Sequence, residues 1–310
     1  MADFFTWTTL LGILHSTVRL ATPYLYAAVG ETFAQRSGVV NLGVEGMMLM
    51  GAFAGFYVVF TTGSPLAGVL AAALVGALMG ALMALVSVTF RAEQGISGIG
   101  LHLVGLGLSS MLFKLLLGTV QGVDGLPELR LPLLADIPAI GPVLFQHSIL
   151  VYMAFLLVPI AAWVLDRTTW GLNIRAVGDN PQAADAAGVP VLLIRYATVT
   201  LGGALAGVGG ASLSISALNI FQENMTGGIG FIAVALVYFG GWRPYGVLLG
   251  VLLFSLVNSI QLWMQVSGVG IASDLAVMMP YVLTIVALAF STRRLGQPSA
   301  LTKPFTRGSA

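Results

Sequence analysis

Apolar stretches of about 20 residues recur along the whole chain, separated by short polar connections. A helix rises about 1.5 Å per residue, so a stretch of this length crosses a hydrocarbon core of about 30 Å. Charged residues make up 8% of the 310 residues, against about 25% in an average soluble domain. The pattern predicts an all-α integral membrane protein, a polytopic helical bundle in which residues 1–310 form a single transmembrane domain.

The same length criterion predicts about nine membrane segments. The seventh is the exception, because its apolar core would cover only about 20 Å as a straight helix. We interpret it as a half-helix or a discontinuous segment that is buried among its neighbours. The segments are predicted near residues 8–30, 38–62, 65–90, 99–119, 147–165, 191–217, 229–241, 245–266 and 275–291.

The basic residues predict how these segments are oriented. Cytoplasmic loops are enriched in Lys and Arg, and one orientation places ten of the 13 basic residues at the inner face. It puts the amino terminus outside and the carboxyl terminus inside, with residues 292–310 as a cytoplasmic tail. The ten residues are Arg36, Arg91, Arg167, Arg175, Arg195, Arg243, Arg293, Arg294, Lys303 and Arg307.

Two parts of the chain share an order of features: a span, a Gly-rich polar break, an apolar stretch, a Pro-marked turn and a small-residue helix. The first has its break at residues 37–43 and its turn at Pro65, and the second has its break at residues 226–230 and its turn at Pro244. The predicted topology makes the copies inverted, which is typical of transporters with discontinuous helices. The alternative is a chance similarity between Gly-rich apolar sequences. The repeats are predicted at about residues 8–119 and 147–291.

Polar residues at the two breaks are candidates for the solute path. A charged group at membrane depth costs about 2.5 to 3.5 kcal/mol, so Glu45 is predicted to face a polar cavity or a partner. A path-lining role and a structural role are both open for Glu45. Phe221 and Phe231 have rings that could stack on a solute or simply pack. The candidate path residues are Asn41, Glu45, Asn219, Gln222, Glu223, Asn224 and Phe231.

The sequence predicts no catalytic, cofactor or metal site. It has no cysteine, and its three histidines, His15, His102 and His147, are far apart without metal-ligand spacing. Neither Lys114 nor Lys303 ends a phosphate-binding loop, so we expect ATP and its Mg²⁺ to be bound by another subunit. A net charge of +1 gives no argument for nucleic acid. No Ser/His pair or paired carboxylates support an intramembrane enzyme.

Residues 166–190 form a polar loop that carries the signals of a short helix. Asn180 can cap the helix, Pro181 suits its first position, and Gly188 suits the left-handed position after its end. We therefore predict a helix over Pro181 to Ala187 on the cytoplasmic surface, with an alanine face that could fit a groove on another protein. From the local pattern alone, an ordinary connector between spans is the alternative.

Three motifs resemble a known family. Arg-Ala-Val-Gly-Asp-Asn-Pro-Gln-Ala-Ala-Asp-Ala-Ala-Gly, residues 175–188, resembles the cytoplasmic loop of permease subunits in bacterial ABC importers of the branched-chain amino acid, ribose and nucleoside type. Gln-Arg-Ser-Gly-Val-Val-Asn-Leu-Gly-Val-Glu-Gly-Met-Met, residues 35–48, and Gly-Phe-Ile-Ala-Val-Ala-Leu-Val-Tyr-Phe-Gly-Gly-Trp, residues 230–242, are similar to the simple sugar and nucleoside branch. Ribose-type relatives often have an additional amino-terminal span, which agrees with an amino terminus outside in this chain.

The resemblance implies a non-catalytic permease subunit in the bacterial inner membrane that forms the path for a nucleoside or simple sugar. Its implied partners are an ABC ATPase, a second homologous permease, an extracytoplasmic solute-binding protein and membrane lipid, with no nucleic acid. Branched-chain amino acid transport and an ion-coupled secondary transporter are the alternatives. The implied ATPase-coupling residues are Arg175, Gly178, Asn180, Pro181, Ala184, Asp185 and Gly188.

Overall fold

The structure, a computed structural model, describes residues 6–130, 140–266 and 296–307, together with positions 132, 135, 137, 138, 278–280, 282 and 285. Within them the chain forms eleven α-helices and one short β-hairpin. The helices are α1 (Trp7–Arg36), α2 (Val44–Thr62), α3 (Pro65–Ala84), α4 (Gln94–Leu116), α5 (Ile140–Leu144), α6 (Ile149–Arg167), α7 (Thr169–Asp179), α8 (Pro181–Ala186), α9 (Val191–Ser212), α10 (Ile229–Phe239) and α11 (Pro244–Val266).

Six of the described helices are long and apolar enough to cross a membrane, so the chain is an all-α, multi-pass membrane protein. They are α2, α3, α4, α6, α9 and α11, where α3 and α9 each continue into a five-residue π-helical turn. Helix α1 has 30 residues, or about 45 Å, but it is more polar than these six. The predicted ninth segment, residues 275–291, falls almost entirely outside the described residues, and nine segments remain a prediction.

The seventh predicted segment is a short helix. Helix α10 has 11 residues, which is about 16 Å and half of a hydrocarbon core. The second predicted span is wrong at its start, because residues 38–43 form a break and the helix begins only at Val44. Gly38 has a φ of +93°, which is incompatible with a right-handed helix, so the chain reverses there before α2 begins.

Helices α2, α3 and α9 pack closely at the centre through glycines. A Cβ on Gly76 of α3 would lie 2.2 Å from the carbonyl oxygen of Gly203 in α9, and one on Gly51 of α2 would lie 2.4 Å from Gly207 Cα. The pairs Gly76/Gly80 and Gly203/Gly207 therefore lie at this helix contact, where small residues four positions apart let the two backbones approach closely. Buried residues of α1, from Ala21 onwards, complete the core.

Two features were not predicted from the sequence. Residues Glu128–Arg130 (β1) and Gln146–Ser148 (β2) form an antiparallel hairpin. In addition, α7 occupies the first half of the predicted loop 166–190, starting after Thr168, whose hydroxyl accepts a hydrogen bond from the Gly171 N–H at 3.0 Å. Helix α7 buries Ile174 and Val177 along one face. Its short amphipathic pattern lies within a polar sequence, which is why it was taken for a loop.

Candidate functional site

The two chain breaks meet at the carboxylate of Glu45. Glu45 lies in the first turn of α2, directly after the first break, and is 1% exposed. Its Oε1 accepts hydrogen bonds from the Thr226 hydroxyl (2.5 Å) and the Gly228 N–H (2.8 Å), and its Oε2 accepts one from the Gly230 N–H (2.6 Å). All three donors belong to the second break and the start of α10. One buried carboxylate thus joins the two breaks.

This contact follows from the chemistry of a helix N-terminus. Gly228 is the N-cap of α10, with a φ of +95°, and it has no side chain that could accept a hydrogen bond. The first N–H groups of a helix lack intrahelical partners, and the helix dipole favours negative charge there. Glu45 supplies the acceptor from a different helix. A Cβ on Gly230 would lie 2.5 Å from the Glu45 amide nitrogen, so the close approach requires glycine.

The other end of α10 is held by a second buried polar group. Trp242, just after α10, donates its indole N–H to Gln35 Oε1 at 2.8 Å. Gln35 donates in turn to Glu31 Oε1 at 3.0 Å, and this oxygen also accepts from the Asn41 N–H at 2.9 Å. Glu31 and Gln35 are fully buried in α1. Side chains from α1 and α2 therefore fix both ends of the half-helix.

The sequence reasoning missed Glu31, Gln35 and Trp242. The predicted first span ended at residue 30, so the polar residues after it were assigned to a loop. The spacing of Glu31 and Gln35 could have indicated their role. Two polar residues four positions apart at the end of an apolar helix share one helical face. Glu31 Oε2 has no hydrogen-bond partner among the residues that the structure describes.

The predicted solute-path residues separate into two groups. Asn41 and Glu45 are buried at the junction of the breaks, where Asn41 Oδ1 accepts from the Gly43 N–H at 2.9 Å and closes the first break. Gln222, Glu223 and Asn224 are instead exposed. Glu223 forms an ion pair with Lys114 at 3.3 Å. Within the described part of the chain, no hydrogen bond or ion pair joins the buried pair to the three exposed residues.

Asn219 lies between these groups and has a left-handed backbone with a φ of +56°. It follows the π-helical turn that ends α9, where the Val123 N–H donates to its carbonyl oxygen at 3.0 Å. Its side chain is partly buried, and Asn219 Oδ1 has no hydrogen-bond partner within the described part of the chain. The structure thus gives Asn219 a role in turning the chain after α9.

The two candidate aromatic residues differ in their surroundings. Phe221 is fully buried and lies 5.3 Å from Phe53 and 5.6 Å from Phe113, measured between ring centroids. Packing is therefore the correct interpretation for Phe221 in this conformation. Phe231, in the first turn of α10, is 38% exposed and makes an edge contact with His102 at 5.1 Å. Phe231 thus projects from the half-helix that Glu45 caps.

Helix α8 has the predicted local structure. Asn180 Oδ1 accepts from the Ala183 N–H at 3.0 Å, Pro181 is the first helical residue, and the helix ends at Ala186, one residue before the predicted end. Gly188 has a φ of +85° and donates to Asp185 O, while Val189 donates to Ala184 O. This pair of hydrogen bonds is the Schellman pattern that a left-handed residue after a helix produces.

The predicted alanine face needs a correction at Ala184. Its side chain is 5% exposed and belongs to the main hydrophobic core, so it is covered by this chain and is not available to another protein. The exposed side of α8 is formed by Gln182, Ala183 and Ala186. The helix turns Ala184 inward because the 3.6-residue period places it on the same side as the buried Pro181.

Arg175 and Gly178 lie on α7 and not in an irregular loop. A Cβ on Gly178 would lie 2.0 Å from the carbonyl oxygen of Arg36, so glycine allows α7 to contact the end of α1. Arg175 Nε is buried and has no hydrogen-bond partner within the described part of the chain. The predicted coupling residues therefore occupy two successive helices that are joined at Asn180.

Two of the histidines contact each other, which the sequence spacing did not predict. The rings of His15 and His147 stack with centroids 4.4 Å apart. His15 Nδ1 lies 2.7 Å from Pro142 O, and His147 Nε2 lies 2.8 Å from Val143 O. Burial lowers the pKa of His147. Among the described residues, no three His, Cys, Asp or Glu side chains are grouped as metal ligands.

The comparison with protein families decides what kind of protein this is. Residues 13–288 match the model of the branched-chain amino acid transport system permease component. The chain belongs to this family. Its members are subunits of ABC transporters that carry no ATPase activity of their own, and ATP is hydrolysed on a separate subunit. No solved structure gives a significant match.

Relatives of this permease include transporters of sugars and nucleosides. A protein of Haloferax volcanii, provisionally named the glucose ABC transporter permease protein TsgC13, is 37% identical over 96% of this chain and 98% of its own length. The guanosine ABC transporter permease protein NupQ of Bacillus subtilis is 35% identical over 96% of this chain and 97% of its own. A second guanosine permease of that organism, NupP, is 25% identical over 93% of this chain and 85% of its own.

Proposed function

We propose that this permease forms the translocation path for a nucleoside or a simple sugar in an ABC importer. The observation that carries the proposal is the junction at Glu45, where two discontinuous segments meet inside the bundle. Irregular backbone at membrane depth is tolerated where it is buried in protein or lines a water-filled path, and broken helices form the solute sites of many transporters. The two solute classes come from TsgC13 and NupQ.

We infer that the two halves of the chain are inverted repeats. The helices correspond in the order α1 with α9, α2 with α10 and α3 with α11. The packing supports this, because α1 packs on α10 and α11 while α9 packs on α2 and α3. Both copies place a break before the second helix, and the breaks meet at Glu45. We propose that the amino terminus lies outside and the tail lies in the cytoplasm, because this orientation places ten of the 13 basic residues at the inner face.

The partners follow from the same proposal. Helix α8, with its preceding helix α7, would be the contact to the ABC ATPase, since α8 is a short rigid element with an exposed small-residue side. A second homologous permease would complete the pathway, and the pair NupQ and NupP in one organism favours a heterodimer. An extracytoplasmic solute-binding protein would deliver the solute to the two permease subunits in the inner membrane.

The test is uptake by the complete complex in proteoliposomes that contain ATP. We expect ATP-dependent accumulation of labelled guanosine or glucose, and a fall in this accumulation of about tenfold or more when Glu45 is replaced by Gln. Labelled leucine is offered as a third substrate, because its accumulation would support the amino acid alternative. Uptake driven by an ion gradient without ATP would contradict the proposal and favour a secondary transporter.

A further inference from the structure

The carboxyl tail, residues 296–307, lies across the end of the bundle where the first break, α7, α8 and α9 meet. It forms no regular helix or strand, and several of its backbone groups bind other elements. The Ala300 N–H donates to Gly178 O of α7 at 2.8 Å, and the Thr302 N–H donates to Gly38 O of the first break at 3.1 Å. Arg307 Nε lies 3.0 Å from Asp185 Oδ2 of α8.

The tail is also anchored by buried side chains. Ala300, Leu301 and Phe305 are 5 to 6% exposed and belong to the described core. Phe305 and Arg307 line an open groove of about 440 Å³ together with Asp185 and residues 188–193, which form the connection after α8 and the start of α9. The tail therefore packs into the protein alongside α8. It is more than a charged end of the chain, because its side chains are part of the core.

Arg195 of α9 connects the tail to the first break. Its side chain is 1% exposed, and it donates from Nε to Ser37 O at 3.1 Å and from Nη1 to Lys303 O at 3.0 Å. Burying a guanidinium is unfavourable unless its donors are satisfied. Both acceptors are backbone carbonyls, one in each segment, so separating the tail from the break would leave a buried charge with fewer partners.

The backbone of Thr302 is held in a conformation that the free residue avoids. Its φ is +67°, and for a β-branched residue this is an outlier that persists only when surrounding contacts impose it. Thr302 is the residue whose N–H reaches Gly38. Gly38 itself has a φ of +93°. The unusual backbone at both ends of this hydrogen bond indicates that the contact is specific.

We propose that the tail is a strap that transmits movement of α8 to the first break. The connection runs from Asp185 through Arg307, Phe305 and Thr302 to Gly38, and the break continues to Glu45 at the cap of α10. Movement that an ATPase imposes on α8 would then reach the end of the half-helix that Glu45 caps. This inference rests on the proposed function, because the ATPase contact at α8 supplies the movement.

The test compares two substitutions of Thr302 in the complete transporter. Thr302→Pro removes the N–H donor and forbids a positive φ, whereas Thr302→Gly keeps the donor and tolerates the φ. For Thr302→Pro we expect the solute transported per ATP hydrolysed to fall about tenfold, the effect of one lost buried hydrogen bond on an equilibrium, while the ATPase still copurifies. We expect Thr302→Gly to keep the normal ratio.

Phe305→Ala is the second variant, because it leaves the tail backbone intact should Thr302→Pro fail to assemble. Normal solute transport per ATP in either assembled variant would overturn the strap. Ala183→Trp, on the exposed side of α8, tests the proposed function separately. If Ala183→Trp uncouples transport and the tail variants do not, only the strap is wrong. If Ala183→Trp remains coupled, the ATPase contact at α8 is wrong and the strap fails with it.

Discussion

At the residue scale, Glu45 is the side chain on which the site depends. It is nearly inaccessible and accepts three hydrogen bonds from the second break and the start of α10. Hydrogen bonds to a charged group are stronger than those between neutral groups. Its role is thus to hold the break and the half-helix together. The sequence left direct contact between Glu45 and the solute open as an alternative. Such a contact would require this junction to open.

Glu45→Gln should therefore weaken the junction without removing it. The amide keeps one acceptor oxygen but places a donor NH₂ against an N–H of α10, at a cost on the order of 2 kcal/mol. We expect uptake to fall about tenfold or more while membrane insertion is unchanged. Glu223→Gln is the matched control, because its ion pair with Lys114 is exposed and should contribute less than about 1 kcal/mol. Equal uptake in the two variants would contradict this account.

His147 should make the stability of the hairpin region depend on pH. Its folded pKa is lower than the usual 6.5 because it is buried, so the unfolded chain binds more protons than the folded one. The stabilisation is present above pH 6.5 and is lost as the pH falls toward the folded pKa. The groups around it are His15, Arg19, Glu128 and Tyr152. His147→Gln should reduce the difference between the thermal stabilities that are measured in detergent at pH 7.5 and at pH 5.5. If the pH profile of the variant is unchanged, the pH dependence comes from other groups.

The sequence could predict Glu45 as a candidate because a carboxylate in an apolar stretch requires a partner. It could not show that the partner is the backbone of α10, because backbone N–H groups leave no mark in a sequence. The contact between His15 and His147 was also invisible, since it joins residues 132 positions apart, as their numbering gives. The composition of α8 does not show which of its alanines face inward, because that depends on how the helix lies against the core, which buries Ala184 together with Pro181.

At the element scale, glycines determine how α3 and α9 pack. A Cβ at Gly203 would lie 2.3 Å from Gly76 O, a backbone atom that cannot move away without displacing a helix. Gly203→Ala should therefore destabilise the protein by about 1 to 3 kcal/mol. Gly100 of α4 is the control, because a Cβ there meets nothing within 4 Å, so Gly100→Ala should be neutral or stabilising by about 0.5 to 1 kcal/mol. Thermal unfolding in detergent measures both, and similar loss in the two variants would show that packing at Gly203 is adaptable.

The elements themselves divide into predictable and unpredictable ones. Six spans and the shortness of α10 follow from the length of apolar sequence, and α8 follows from Asn180, Pro181 and Gly188. The start of α2 was misplaced because Val39, Val40 and Leu42 continue the apolar sequence, although the Gly-rich break at residues 37–43 was itself predicted. Gly38 turns the chain there. The hairpin pairs two strands of 3 residues each, with α5 between them in the chain, so its strands have no local pattern long enough to predict them.

At the scale of the whole molecule, the proposed orientation can be tested with cysteines, because the chain has none of its own. Gln121 and Ser299 are both exposed and lie in the loop after α4 and in the tail. We expect Gln121→Cys to react with an impermeant maleimide in intact cells and Ser299→Cys to react only after the membrane is permeabilised. Labelling of both positions in intact cells would require an even number of crossings between them, and the opposite pattern would reverse the topology.

The junction at Glu45 has a consequence for how such a protein can diversify. Glu45 binds two backbone amides and one hydroxyl, so the side chains of Ile229, Phe231 and Ile232 in the first turn of α10 take no part in holding the joint. Those positions can be substituted while the hydrogen bonds at the N-terminus of α10 stay the same, so a change of side chain on the half-helix does not have to break the junction.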